Sequence, residues 1–225
     1  MWKSQQETGS ARLVAGGLCD MVDGHILRNL KAENTDLKGD LSDVKDENQD
    51  LWRVIRALNQ LDFDLESFSG PADLMGMVMK ILNIALESVE SENGSVLLLD
   101  EDTEELVFVA VIGDRQQELT DFRIPADSGV AGWVRKNKRP TLVQDVRKDD
   151  RWISAVDQSI GFNTRSLMAV PLVMGERVLG VMEVVNALPE EHFNEKDLTL
   201  LALIARLASF VLGFTEIALD SRGES

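Results

Sequence analysis

The sequence predicts an antiparallel α+β layer structure carried behind a long coiled-coil helix. Three observations predict it. A heptad pattern runs unbroken from Leu27 to Leu58, two pairs of apolar segments are each joined by a short turn-forming stretch, and helical patterns flank those pairs. The 225 residues suffice for one moderate domain plus an appendage, or for two small domains. A hydrophobic content of 44% supplies an ordinary core and excludes wholesale disorder.

Residues 1–24 show no sustained period and contain Gly9, Gly16, Gly17 and Gly24, so they read as a poorly ordered lead-in with a short helix around Leu18 to Val22. Residues 25–67 read as a coiled coil and its connector. Leu30, Leu37, Val44, Leu51 and Leu58 occupy d positions, and Leu27, Asn34, Leu41, Asn48 and Ile55 occupy a positions. Gly39 falls at an outward f position, where it weakens the helix by about 1 kcal/mol without disturbing the seam. The e positions carry Lys31, Lys38 and Lys45 and the g positions Glu33, Asp40 and Glu47. Parallel pairing sets Glu33 against Lys38 and Asp40 against Lys45, whereas antiparallel pairing sets acid against acid and lysine against lysine. Asn34 and Asn48 at a positions also favour two strands in register. A parallel homodimer is expected; a single amphipathic helix packed on its own domain is the alternative.

Gly70-Pro71 breaks the chain, and Pro71 suits the first turn of a new helix marked by Leu74, Val78, Ile81, Leu82, Ala85 and Val89. Ser95–Leu99 and Glu105–Val111 read as a strand pair across Asp100–Glu104, followed by a short strand at Phe122–Ile124. Asp127-Ser128 can cap a helix from Gly129 to Lys136, and Thr141–Val143 is extended. Ser166–Val173 and Arg177–Val185 form a second hairpin around Met174-Gly175-Glu176. A terminal helix runs from about Asn194 to Leu219, with 220–225 as a tail. Its apolar surface is wider than one sheet contact needs, so a second side is expected to bury against the partner chain or the rod.

Composition restricts the chemistry. With 39 acidic and 23 basic residues the formal charge is −16, which argues against nucleic-acid or anionic-membrane partners. One cysteine, Cys19, allows neither an intramolecular disulfide nor a cysteine-based zinc site, and His25 and His192 are the two histidines. No metal site is expected. These counts fit a reducing, cytoplasmic compartment. Met1 to Ala15 lacks the apolar core of a secretory signal, and Leu198–Leu219 carries Arg206 and Glu216, so it reads as a buried helix rather than a membrane span. Neither a G-x-x-x-x-G-K-[ST] nor a G-x-G-x-x-G run is present, and neither histidine sits in a nucleophile motif, so no catalytic residue is assigned.

Several runs taken together resemble the GAF domain family over roughly residues 68–219. They are Ser128–Val134, Pro140–Val146, Asp150-Arg151-Trp152, Arg165–Leu172 and Val178–Asn186, with Phe193 and Asp197 opening the last helix. The resemblance implies a central antiparallel sheet of about six strands with helices on both faces and a small-molecule pocket on one. Cyclic-nucleotide receptors of that family carry an Asn-Lys…Phe-x-x-x-Asp-Glu signature. Asn186, Phe193 and Asp197 match it, but Ala187 and Leu198 replace the Lys and the Glu, so its Lys–Asp pair cannot form. A covalent bilin needs a cysteine, and residues 62–225 contain none; a haem would have to use His192, and none is expected. The family's free-methionine-sulfoxide reductases likewise need cysteines.

By the same resemblance, Trp152, Ile153, Ser154, Asp157, Phe162, Thr164 and Arg165 would form the pocket lid and rim, with Phe108, Met168 and Glu183 facing it from strands. Glu183, a carboxylate in an apolar strand, must be paired, ligand-facing or exposed on the sheet surface, and exposure is the expectation. Between Arg123 and Arg165 nine basic residues stand against five acidic ones, so an anionic ligand could be steered there; solvated helix faces and local ion pairs are the competing explanation. The reading is a non-catalytic, homodimeric sensor module that binds an unidentified small molecule and passes the signal through helix packing, to a downstream signalling protein or within a longer receptor. A structural dimerisation scaffold with a self-filled pocket and a small-molecule-converting enzyme on the same fold are the alternatives.

Overall fold

The computed structural model describes residues 27–42, helical positions 44, 45, 48, 52, 55, 56 and 59, and residues 74–188 and 192–223. The lead-in, the seam residues Leu51 and Leu58 and the junction at 62–71 lie outside the described residues. The chain divides into two units, Met1–Trp52 and Arg53–Ser225.

In the first unit, residues 27–42 form helix α1, as the run of strong helix formers without proline dictates. The described seam residues of this unit, Leu27, Leu30, Asn34, Leu37, Leu41, Val44 and Asn48, are all exposed, the apolar ones by 54–60%. Nothing lies within 4 Å of a Cβ added at Gly39, in keeping with its outward f position.

The second unit is a curled antiparallel sheet between two helical layers. Its elements are α2 (Leu74–Ser88), β1 (Ser91–Asp100), β2 (Glu105–Ile112), α3 (Gln116–Leu119), β3 (Arg123–Pro125), α4 (Gly129–Asn137), β4 (Thr141–Val143), α5 (Ala155–Ile160), β5 (Leu167–Met174), β6 (Arg177–Ala187) and α6 (Glu195–Gly223). The six strands lie in the order β3-β2-β1-β6-β5-β4, each pair antiparallel. Both hairpins follow from the apolar runs and the turn-forming stretches that predict them. The central pair, β1 with β6, brings distant segments together, with Val96 opposite Met182 and Ser95 opposite Glu183. At Gly180 the two backbones come so near that an added Cβ would lie 3.0 Å from Leu98 Cα.

One sheet face packs on α2 and α6. Val96, Met168, Val170, Leu172, Met182 and Val184 meet Ile81, Leu82, Leu201, Ile204 and Ala208 there, all nearly inaccessible to solvent. The other face, with Leu97, Phe108, Leu167, Ala169 and Val181, is covered by α4 and the segments around it. A bulge at Val109 adjusts β2: Leu97 pairs with Phe108 and Val96 with Ala110, so Phe108 and Val111 share the second core although they are three residues apart.

Three local details differ from the sequence expectation. Helices α3 and α5 and a 3₁₀ turn at Val146–Lys148 are additional, because runs of three to six residues are too short to show a period. Ser128 occupies the α4 N-cap but its side chain makes no cap hydrogen bond, and Asp127 pairs with Arg135 instead. Helix α6 continues to Gly223, so part of the expected tail is helical. At its start, Asn194 Oδ1 accepts from Lys196 N at 2.8 Å while Asp197 Oδ2 accepts from Asn194 N at 2.9 Å, a reciprocal cap. Leu203 and Phe210 of α6 remain 36% and 58% exposed. Among the described residues, no helix is long and apolar enough to cross a membrane.

A second irregularity in the sheet has a side-chain solution. The β5–β6 register shifts between Leu172 and Val173, and Ser209 of α6 accepts from Val173 N at 2.9 Å while donating to Ala205 O at 2.7 Å. Ser209→Ala leaves the half-buried Val173 amide without its acceptor and should lower stability by about 1–2 kcal/mol in urea denaturation. An unchanged midpoint would show that the bulge does not need the hydroxyl.

Candidate functional site

Strands β1, β2, β5 and β6 present their second face to a cavity of about 320 Å³. Its floor carries Ser95, Phe108, Val111, Leu167, Glu183 and Val185, and its roof comes from the chain around α3, the start of α4 and the segment 152–164. Apolar surface predominates, with a few polar groups, which is the usual make-up of a small-ligand site.

The roof is held by specific bonds. Phe108 N donates to Phe122 O at 3.0 Å and Asp121 N to Phe108 O at 2.9 Å, so the chain before β3 continues the pairing with β2. That places the Phe122 ring edge-on to Phe108, centroids 6.2 Å apart. Asp157 on α5 accepts from Thr164 N at 2.7 Å and from Thr164 Oγ1 at 2.9 Å, closing the loop that follows the helix. Gly161 caps α5 with φ +65, a conformation glycine adopts without strain, and its carbonyl accepts from Arg115 Nη2 at 3.2 Å. Beyond the rim, Arg151 pairs with Asp149 at 2.6 Å and stacks 4.5 Å from the Trp133 ring centroid.

The residues expected at the site separate into two groups. Phe108, Trp152, Ile153, Asp157, Phe162, Thr164 and Glu183 line the cavity. Ser154, Arg165 and Met168 do not. Met168 belongs to the helical core, because it lies next in sequence to the cavity-facing Leu167 and alternation turns it to the opposite face. Arg165 precedes β5 and is exposed, its backbone N–H donating to Asn186 Oδ1 at 2.6 Å. Ser154 is exposed at the α5 N-cap. The signature-related residues have structural duties: Asn186 also donates to Asn163 O at 3.0 Å, Phe193 is buried, and Asp197 caps α6. Sequence reasoning did not find Asn93, Ser95, Arg115, Phe122 or Ser128. Ser95 had a signal, since it is the one polar residue of its predicted strand.

The basic segment is largely neutralised within the fold. Arg123 pairs with Asp100 at 2.8 Å and Glu105 at 3.1 Å, Arg147 with Asp145 at 2.9 Å, Lys138 with Glu176 at 3.4 Å, and Arg135 with Asp127. Hydrogen bonds from Arg123 hold the Asp100 carboxyl below the usual range, those from Arg151 do the same to Asp149, and those from Arg147 push Asp145 down to about 2.

Glu183 behaves in the opposite way. It is not on an open sheet surface: β6 sends Met182 and Val184 into the helical core and Glu183 into the cavity. No hydrogen bond or ion pair reaches its carboxyl among the described residues, and burial against apolar walls pushes it up to about 7. The part of its surface that remains accessible opens on the cavity.

A carboxyl that moves from its ordinary 4.5 to about 7 on folding binds its proton more tightly in the native state. Its contribution is therefore most favourable below pH 4.5, declines as pH rises towards 7, and levels off above. Glu183→Gln should match the parent protein at pH 4.5 and exceed its stability by about 1–3 kcal/mol at pH 8, read by urea denaturation at both pH values. Parallel pH profiles for the two proteins would exclude a buried, proton-binding Glu183.

The GAF domain family matches residues 71–213. The α′ subunit of the cone cGMP-specific 3′,5′-cyclic phosphodiesterase of Bos taurus is 34% identical over 88 residues, 39% of this chain and 10% of that protein. The chain spans about a tenth or less of the length of the first such relatives. Among solved structures, the GAF domain of a phosphoenolpyruvate-protein phosphotransferase from Coxiella burnetii superposes with a TM-score of 0.66 at 15% identity, covering 74% of this chain and 96% of that one. A free methionine-R-sulfoxide reductase from Neisseria meningitidis, solved with its substrate, gives 0.59 at 21% identity, covering 73% and 93%. The family match takes in every element from α2 into α6, and the chain belongs to the GAF domain family.

Proposed function

We propose that the chain is a non-catalytic sensory or regulatory module: a homodimer, paired in parallel through residues 27–58, whose GAF domain binds a small molecule in the sheet-backed cavity. GAF domains are regulatory ligand-binding modules, and the observation that carries the reading here is the cavity itself, about 320 Å³ with a roof anchored by the Asp157–Thr164 and Arg115–Gly161 bonds. A scaffold with a self-filled pocket would present Phe108, Trp152 and Phe162 packed into one another, whereas these residues line open space. The exposed leucines of α1 and the partly exposed Leu203 of α6 support pairing with a second copy.

The cGMP-specific relatives do not settle the ligand, because the Lys and Glu of the cyclic-nucleotide signature are Ala187 and Leu198 here and Asp197 serves as a helix cap. The reductase neighbour keeps catalysis on this fold within view. That family's chemistry needs cysteines, and residues 62–225 have none, which favours sensing. Ligand would act by binding two arrangements of the domain unequally and so biasing the rod through the chain at 62–71.

Native mass spectrometry of freshly purified protein should give twice the chain mass, with or without a retained small molecule that leaves on denaturation. Leu30→Lys with Leu37→Lys should give single chains, and Leu41→Cys in a Cys19→Ser background should crosslink to itself under mild oxidation. A single-chain mass for the parent protein at micromolar concentration, or failure of the crosslink, would overturn the parallel dimer. No thermal shift across a metabolite panel, with no retained mass, would overturn ligand sensing.

A further inference from the structure

Among the described residues, four charged side chains line the cavity: Arg115, Arg123, Asp157 and Glu183. Three are committed. Arg115 donates to Glu118 Oε1 at 3.2 Å and to Gly161 O at 3.2 Å. Arg123 donates to Asp100 at 2.8 Å, Glu105 at 3.1 Å and Thr103 Oγ1 at 3.3 Å. Both oxygens of Asp157 accept from Thr164. Glu183 alone of the four has no partner among the described residues, and its cross-strand neighbour Ser95 has an uncommitted hydroxyl on the same face. An anion entering here would meet two arginines whose charges are already offset by internal carboxylates, and one more carboxyl on the floor. An ionised carboxylate only accepts hydrogen bonds, so the floor is complementary to a donor.

We propose that the cavity takes a compact ligand presenting N–H donors to Glu183, an ammonium, an amidinium or an amino-substituted ring, with an apolar body seated against Phe108, Phe122 and Val185. The assignment rests on the reading of the cavity as the ligand site and names the chemistry that site selects. The size agrees: about 320 Å³ lies at the small end of ligand pockets and suits a single ring. The Phe108–Phe122 pair gives such a ring an aromatic wall, and the donor end meets Glu183 and Ser95 at the floor.

The charge state of Glu183 supplies an independent readout. Its carboxyl titrates at about 7, so a permanently cationic ligand must first draw it into the ionised form at pH 6 and finds it ionised at pH 8. The neighbours at Glu183 on β1 and β5 are Ser95 and Ala169, the roof contributes Arg115, Arg123 and Asp157, and among the described residues no histidine lines the cavity. Affinity for a cation should therefore rise about tenfold between pH 6 and pH 8.

Benzamidine, benzoate and benzyl alcohol share a ring and differ in the charge and donors at one end, and their binding to the full-length protein can be followed by ligand-observed NMR. Benzamidine should bind saturably at pH 8, weaken about tenfold at pH 6, and weaken at least fivefold in Glu183→Gln; benzoate should not bind. Preference for benzoate or benzyl alcohol, or benzamidine binding that neither pH nor Glu183→Gln alters, overturns the donor-ligand assignment and leaves the cavity as a ligand site. Failure of all three to bind overturns the ligand cavity as well.

Discussion

The register of β1 on β6 is the constraint on which the rest depends. These strands sit in the middle of the sheet and are covered on both faces, so the residues along their middle turn either to the helical core or to the second core and its cavity. With Ser95 opposite Glu183, the apolar residues Val96, Met182 and Val184 meet α2 and α6, and the polar pair meets the cavity. A slip of one residue would drive Glu183 into the helical core, where an unpaired carboxyl costs several kcal/mol. The polar pair thus helps to specify the register that gives the site its chemistry.

Local pattern carried much of the architecture. The hairpin β5–β6 is legible because two apolar runs meet at the Gly175-Glu176 turn, and the α6 start because Phe193 and Asp197 flank a cap. Which face of a strand meets the cavity is a different question. A strand buried on both sides reads as a nearly continuous apolar run, so Met168 could be assigned to the wrong face while its neighbour Leu167 lines the cavity. The bulge at Val109 hides the second clue, since it puts Val111 on the same face as Phe108 against simple alternation. Helices α3 and α5 are shorter than two turns, and Arg115 therefore drew no attention although it ties the α5 loop to the α3 region.

The net positive stretch from Arg123 to Arg165 shows why charge counted along a chain is a poor guide to a ligand. Arg147 and Arg151 each pair with an aspartate two residues away, and Arg123 reaches across to Asp100 and Glu105. Local geometry satisfies these cations before any solute arrives. Glu183 is set apart from these acids by being removed from water with no such partner among the described residues.

That absence carries an energetic argument about function. Ionising Glu183 near neutral pH works against the fold, and a glutamine or an apolar side chain would avoid that penalty in the same strand. On the proposed reading, a ligand that neutralises the carboxyl would relieve the penalty upon binding and so couple occupancy to the stability of β6. Met182 and Val184 connect that same strand to α6, so a change on the cavity face is felt in the helical layer on the other side. Close packing on the helical face leaves Met182 and Val184 little room to absorb a shift locally. On the proposed reading, the unpaired carboxyl and the two-faced strand belong to one device, in which the cavity group penalised on ionisation sits on a strand that also reaches the helical layer.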